Sequence, residues 1–178
     1  MIAEQGTRWF YRGDFAAAAE SWMRRNGGLI RASDFATYKF VEREPIRTTY
    51  RGYEMLELPP NTQGIAALEM LNILEGFDLK ALGHNSAAYL HLMVEAKRIA
   101  FADRGAWLAD PASTPAKALE RMLSKEYAAE RRKEIDPQKA AKEYKPLAIA
   151  GRPTPGEGDD PAGRGDTIYL TAADSDGN

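Results

Sequence analysis

Residues 136–166 change the character of the chain more sharply than any other stretch, because five of its ten prolines and five of its fifteen glycines fall there. Proline fixes φ and removes a backbone donor, and glycine adds chain entropy, so neither a helix nor a sheet can run through such a segment. Glu157, Asp159 and Asp160 add like charge, and the latter half reads as a mobile, exposed linker. Before it, apolar residues recur at helical spacing; after it, Thr167-Ile168-Tyr169-Leu170-Thr171-Ala172 returns to strand composition. Three parts are therefore expected: a mostly helical body with one hairpin over 1–135, a Pro/Gly-rich linker over 136–166, and the start of a strand region over 167–178. Asp176-Gly177 is a turn signal that normally introduces a partner strand, so the chain reads as cut within a sheet.

Within the body, Phe15, Ala18, Ala19, Trp22 and Met23 predict a helix over about 14–26, capped by Asp14 and ended by Gly27-Gly28. Ser33-Asp34-Phe35 starts one short turn. Residues 46–50 and 53–58 are extended stretches joined at Arg51-Gly52, a hairpin pattern. A core-facing helix follows over about 65–75, with Ile65, Leu68, Leu71 and Leu74 on one face. The next spans about 86–107, where Leu90, Val94, Lys97 and Phe101, with Ala88, Leu92 and Ile99, keep helical period until Asp110-Pro111. Pro115 opens another helix to Met122, and Ser124 caps a last one to Ile135.

Composition narrows the function classes. At 178 residues a single core can bury about two-thirds of the unfolded surface, so neither disulfides nor a structural metal is needed for a soluble globular chain. With no cysteine, thiol catalysis and zinc ribbons are excluded. A net charge of -2 gives no basic field for phosphate backbones or anionic lipid, so neither nucleic acid nor a membrane surface is expected as a partner. No apolar run approaches the roughly 18 residues of a membrane span. Met1-Ile2-Ala3-Glu4-Gln5-Gly6 lacks the basic and apolar start of a secretory signal.

Four patterns invite a chemical reading. His84, His91 and Glu95 fall at helical spacing that could present a metal, but no second carboxylate completes the set, and a solvated helix face is the stronger reading. The glycines of residues 158–165 have the spacing of a phosphate loop, yet Arg164 and Gly165 stand where Lys and Ser or Thr are required, and two aspartates would repel phosphate. Arg164-Gly165-Asp166 spells an adhesion tripeptide that any charged linker contains by chance. In the charge-rich run 95–104, Lys97 and Arg98 read as solvated, Asp103 and Arg104 as a local pair, and the apolar members as core. Thr167 is different, because it stands where a Gly-rich segment meets a strand. If the bond before it were cut, its hydroxyl and a free α-amino group of pKa about 8 would share one residue, giving nucleophile and base together.

Many ordered pieces of the chain together resemble the gamma-glutamyltransferase family (gamma-glutamyltranspeptidases, glutathione hydrolases). They are Phe10-Tyr11-Arg12-Gly13, Asn26-Gly27-Gly28-Leu29 with Asp34-Phe35, Glu44-Pro45-Ile46, and Tyr50-Arg51-Gly52-Tyr53. Next come Leu58-Pro59-Pro60-Asn61-Thr62-Gln63-Gly64, Leu71-Asn72-Ile73-Leu74-Glu75-Gly76, Glu95-Ala96-Lys97 with Phe101-Ala102-Asp103-Arg104, and Asp110-Pro111. The last is Gly165-Asp166-Thr167-Ile168-Tyr169-Leu170-Thr171-Ala172-Ala173-Asp174 with Asp176-Gly177-Asn178.

The resemblance implies an α+β, helix-rich fragment of an αββα N-terminal-nucleophile hydrolase sandwich: the end of a large subunit and the first strand of a small one. It implies a precursor that cleaves itself between Asp166 and Thr167, with Thr167 as both processing and catalytic nucleophile, on gamma-glutamyl amides such as glutathione. No cofactor or metal is implied. The partners implied are a gamma-glutamyl small molecule and the remainder of both subunits, and a homo-oligomer is compatible with the family. Many members are exported, with any signal upstream of this chain. Ile168-Tyr169 replaces the Thr-His that many members carry, which leaves the substrate open, and an acylase of β-lactam side chains is a rival within the same superfamily. The family's substrate-carboxylate arginine and Gly-Gly oxyanion hole fall outside the chain. An oxyanion hole is worth a factor of about 100 to 1,000 in rate, so the fragment alone is expected to be inactive. The rival from another class is a helical module without catalysis, a remnant or a complementing piece.

Overall fold

The structure, a computed structural model, describes residues 2–149. These divide into two compact units, one up to Arg43 and one from Glu44 onward.

The first unit is helical: α1 (Ile2–Gln5), α2 (Thr7–Arg12), α3 (Asp14–Arg25) and α4 (Ala32–Thr37). Aromatic rings hold it. Phe10 stacks on Phe15 with centroids 4.5 Å apart, and Phe35 meets both edge-on at 5.7 and 5.8 Å. Tyr11 stacks on Tyr38 at 5.6 Å. Such ring pairs add about 0.5–1.5 kcal/mol each beyond their buried area. Asp14 is the first residue of α3 rather than its cap; Gly13 holds that position and offers no side chain. The other end follows the glycine signal, since Gly27 takes φ 73° and the Gly28 N–H donates to Met23 O at 2.8 Å. Glu20 then accepts from the Ala32 N–H at 2.8 Å and pairs with Arg24 at 2.7 Å, joining α3 to α4.

The second unit opens with the hairpin, β1 (Ile46–Tyr50) and β2 (Tyr53–Glu57), antiparallel in the register Ile46 to Glu57 through Tyr50 to Tyr53. Arg51 and Gly52 both have positive φ, 50° and 88°, the two-residue turn whose twist suits a hairpin. Then come α5 (Gly64–Leu74), α6 (Leu79–Leu82), α7 (Ala87–Trp107), α8 (Ala116–Leu123) and α9 (Lys125–Arg132). Ser86 and Ser124 cap α7 and α9 by accepting from the N–H groups of Tyr89 and Tyr127 at 3.1 and 3.2 Å. Asp78 caps the short α6, which hydrophobic period does not reveal. Pro115 stands one place earlier than expected, at the cap of α8.

α5 is the centre of this unit, packed against α7, α8, α9 and the hairpin. Two apolar clusters flank it. One gathers Ile73, Leu74, Leu92, Ala96, Ile99, Ala128 and Ile135; the other gathers Ile65, Trp107, Ala118, Met122, Tyr127 and Leu147. The inner face of α7 therefore runs through Leu92, Glu95, Ala96, Ile99, Ala100, Asp103 and Trp107. Of the periodic apolar residues assigned to α7, Leu90 and Val94 lie on its outer side, 48 % and 52 % exposed. Among the described residues no helix is long and apolar enough to cross a membrane.

Candidate functional site

Residues 136–149 cross α7 and α9 as a strap without regular structure, and their backbone is held by side chains from those helices. His91 Nε2 donates to the carbonyl of Asp136 at 2.8 Å; a carbonyl only accepts, so this nitrogen carries the hydrogen. One turn on, Glu95 accepts from the Ala141 N–H at 3.0 Å and from the Tyr144 hydroxyl at 2.7 Å. Arg98 donates to the carbonyls of Ala141 and Lys142 at 2.7 and 2.8 Å while pairing with Glu95 at 2.9 Å. Asp103 accepts from the Leu147 N–H, Trp107 Nε1 donates to the Leu147 carbonyl at 2.7 Å, and Arg131 on α9 donates to the Lys145 carbonyl at 2.9 Å. A segment lacking its own ladder thus finds partners for its buried backbone groups on two helices.

This arrangement corrects three sequence readings. Of the three residues assigned to a solvated helix face, His84 is exposed and precedes α7, but Glu95 is 1 % exposed and both it and His91 bind the strap. Asp103 is not paired with Arg104. It points inward at 0 % exposure, while Arg104 lies over the Phe101 ring at 4.8 Å and Lys97 also rests on that ring, at 4.9 Å. Arg98, expected to be solvated, is half-buried against the strap.

Around Asp103 lies a polar island that periodicity gave no reason to expect. The Tyr127 hydroxyl donates to Asp103 at 2.7 Å, and Arg131 Nη2 stands 3.8 Å from the other Asp103 oxygen. Glu69, facing this group from α5, is wholly buried, and among the described residues no group donates to either of its carboxyl oxygens and none accepts from the buried Arg131 Nε. Burial, then the neighbouring Asp103, pushes the Glu69 carboxyl well above the ordinary carboxylate range. The same two causes push the Tyr127 phenol up, so it stays a donor. At Glu95 burial also pulls upward, but the Ala141 N–H, the Tyr144 hydroxyl and Arg98 outweigh it and hold that carboxyl below the usual range. A second buried amide, Asn72, accepts from the Thr48 hydroxyl at 2.7 Å and donates to the Leu123 carbonyl at 3.0 Å, tying α5 to the hairpin and to the end of α8.

An open cleft of about 520 Å³ lies beside the strap, lined in part by Arg121, Glu130, Glu134 and Lys145. Two ion pairs stand in its wall, Arg121 with Glu130 at 2.5 Å and Arg131 with Glu134 at 3.0 Å. Among the described residues no group of three His, Asp or Glu side chains could hold a metal ion. Asp166 and Thr167, the proposed processing and nucleophile residues, lie outside the described residues, as do residues 158–165 and the stretch from Thr167 expected to form a strand.

The helix-rich α+β architecture is that of a portion of an N-terminal-nucleophile hydrolase sandwich. The gamma-glutamyltranspeptidase family model matches residues 1–178, and the chain belongs to that family. Among curated relatives it is 40 % identical over 183 residues to the glutathione hydrolase proenzyme of Escherichia coli, covering 100 % of this chain and 29 % of that protein. It is also 40 % identical over 179 residues to the acylase ACY 1 proenzyme of Pseudomonas sp. strain SE83, covering 100 % of this chain and 30 % of that one. The gamma-glutamyltranspeptidase of Helicobacter pylori superposes with a TM-score of 0.72 at 33 % identity, over 79 % of this chain and 40 % of that one. The cephalosporin acylase of Bacillus halodurans gives 0.67 at 39 %, over 76 % and 25 %. The chain thus spans about three-tenths of the length of those curated relatives.

Proposed function

We propose that this chain is the end of the large subunit and the first strand of the small subunit of a self-processing gamma-glutamyltransferase-like enzyme, with Thr167 its nucleophile. The observation that carries the reading is the family match across the whole chain, Gly165-Asp166-Thr167 included. In processing, the Thr167 hydroxyl oxygen adds to the Asp166 carbonyl carbon and the peptide C–N bond breaks. The displaced nitrogen takes a proton and becomes the free Thr167 amine, leaving an ester that water opens to the Asp166 α-carboxylate and the Thr167 hydroxyl. That amine, with a pKa of about 8, then accepts the hydroxyl proton as Thr167 attacks the gamma-glutamyl amide. Water or an amino acid resolves the acyl-enzyme, with no metal or cofactor. The remainder of both subunits supplies the oxyanion hole and the substrate contacts, so the chain alone turns over no substrate.

Intact mass of a full-length precursor tests this. A small subunit beginning at Thr167 is expected, and Thr167→Ala should abolish it; a precursor that stays whole yet is fully active would overturn the assignment. A second reading shares the site but changes the acyl group. Identity to the acylase and to the glutathione hydrolase is the same, 40 %, so an acyl side chain on a β-lactam is the rival substrate. Parallel assays on gamma-glutamyl p-nitroanilide and on an acylated cephalosporin separate the two.

A further inference from the structure

We propose that Glu69 is a neutral carboxylic acid and that its proton, facing Asp103, is a latch that lets Asp103 hold the strap at Leu147. Both carboxyl groups are at 0 % exposure. Asp103 uses its two oxygens as acceptors, one for the Tyr127 hydroxyl and one for the Leu147 N–H, whereas among the described residues nothing donates to the oxygens of Glu69. The charged or titratable groups facing Glu69 are Asp103 from α7 and Arg131 and Tyr127 from α9; among the described residues α8 and the hairpin present none.

Counting charge decides the protonation state. Among the described residues Arg131 is the one cation of the island, its Nη1 is spent on Glu134 and its Nη2 on the Lys145 carbonyl. A second buried anion would have no counter-ion, and such a group neutralises rather than stay charged. A proton on Glu69 also converts two facing acceptors into a donor and an acceptor, which removes the repulsion at Asp103. Deprotonation restores that repulsion. The member of the cluster that can leave at least cost is the strap, since Leu147 belongs to no helix or strand, while Glu69, Asp103 and Tyr127 sit on packed helices. Alkaline pH should therefore free Leu147 from Asp103 before α5 or α7 opens.

Amide hydrogen exchange on the protein as a full chain tests this, compared as protection factors so that intrinsic pH effects cancel. Protection at Leu147 should fall about tenfold per pH unit once Glu69 ionises, while α5 and α7 stay protected, and Glu69→Gln should keep Leu147 protected throughout. Equal pH dependence in wild type and Glu69→Gln, or opening of Leu147 only together with α7, would overturn the proposal. A measurement that needs no variant is the infrared spectrum of wild type carrying isotope-labelled glutamate. One neutral carboxyl is expected at neutral pH, and a spectrum with every glutamate ionised refutes the latch. Neither readout depends on cleavage at Thr167, so the latch and the enzymatic reading can fail separately.

Discussion

Asn72 shows how much one buried polar side chain decides here. It joins three elements, taking a hydrogen bond from Thr48 on β1 and giving one to the last carbonyl of α8, at 0 % exposure. Replacing it with alanine strands a hydroxyl and a carbonyl in the core, so Asn72→Ala should cost about 2–4 kcal/mol, read as a lower midpoint of chemical denaturation. Thr48→Val, which removes only the hydroxyl, should cost less because the Asn72 amide keeps its bond to Leu123. The sequence marks Ile65, Leu68, Leu71 and Leu74 as inward-facing; Ile65, Leu68 and Leu74 are buried and Leu71 is partly so. It gives no sign that Glu69 and Asn72 are buried too, since periodicity assigns polar residues to the wet side. The hairpin and the end of α8 meet Asn72, and α7 and α9 meet Glu69, a tertiary fact that no window along α5 contains.

At the scale of elements, α5 ends in a built cap. Arg132 reaches from the end of α9 to donate to the carbonyls of Ile73 and Asn72 at 2.9 and 3.1 Å, and its guanidinium occupies the space beside Gly76. A Cβ at Gly76 would stand 1.9 Å from Arg132 Cζ, so Gly76→Ala must expel the arginine from the cap. A loss of about 1–2 kcal/mol is expected, and Gly76→Ala combined with Arg132→Ala should be clearly less than additive in a double-mutant cycle. The strap depends on its helices in the same manner. Trp107→Phe keeps the ring in the core but removes the Nε1 donor from the Leu147 carbonyl, which should speed exchange in the strap while costing only about 1–2 kcal/mol overall. The hairpin and the long helices were legible because turn glycines, serine caps and period are local signals. The strap was not, because its order comes from side chains some forty residues away in sequence.

Across the whole molecule, two buried carboxyl groups act in opposite senses on pH. Glu95 is held below the ordinary carboxyl value of 4.5, so the stability it contributes is present above that value and is lost as pH falls through its lowered one. Glu69 is held above the same value, so its contribution is complete below it and is lost as pH rises toward the raised one. Together they place the best stability on the acid side of neutrality, and Glu69→Gln should move the maximum toward neutral pH by removing a slope of about 1.4 kcal/mol per pH unit. Midpoints of denaturation across the pH range give the check; an unshifted maximum in Glu69→Gln contradicts it. Thr167, the proposed nucleophile, drew notice by following a Gly-rich segment, but its role was legible only through resemblance, since a β-favouring threonine carries no catalytic mark of its own.

The two prolines of the strap show what kind of text its helices read. Pro137 and Pro146 each follow a residue whose carbonyl is gripped, Asp136 by His91 and Lys145 by Arg131. The gripped amides belong instead to Ala141 and Leu147. Proline forfeits an amide and keeps a carbonyl, so it is spelled only where no donor is consulted. Most strap side chains are then interchangeable lettering, apart from Tyr144, Leu147 and Ile149, and a proline moved to 141 or 147 becomes the misprint that the helices cannot read.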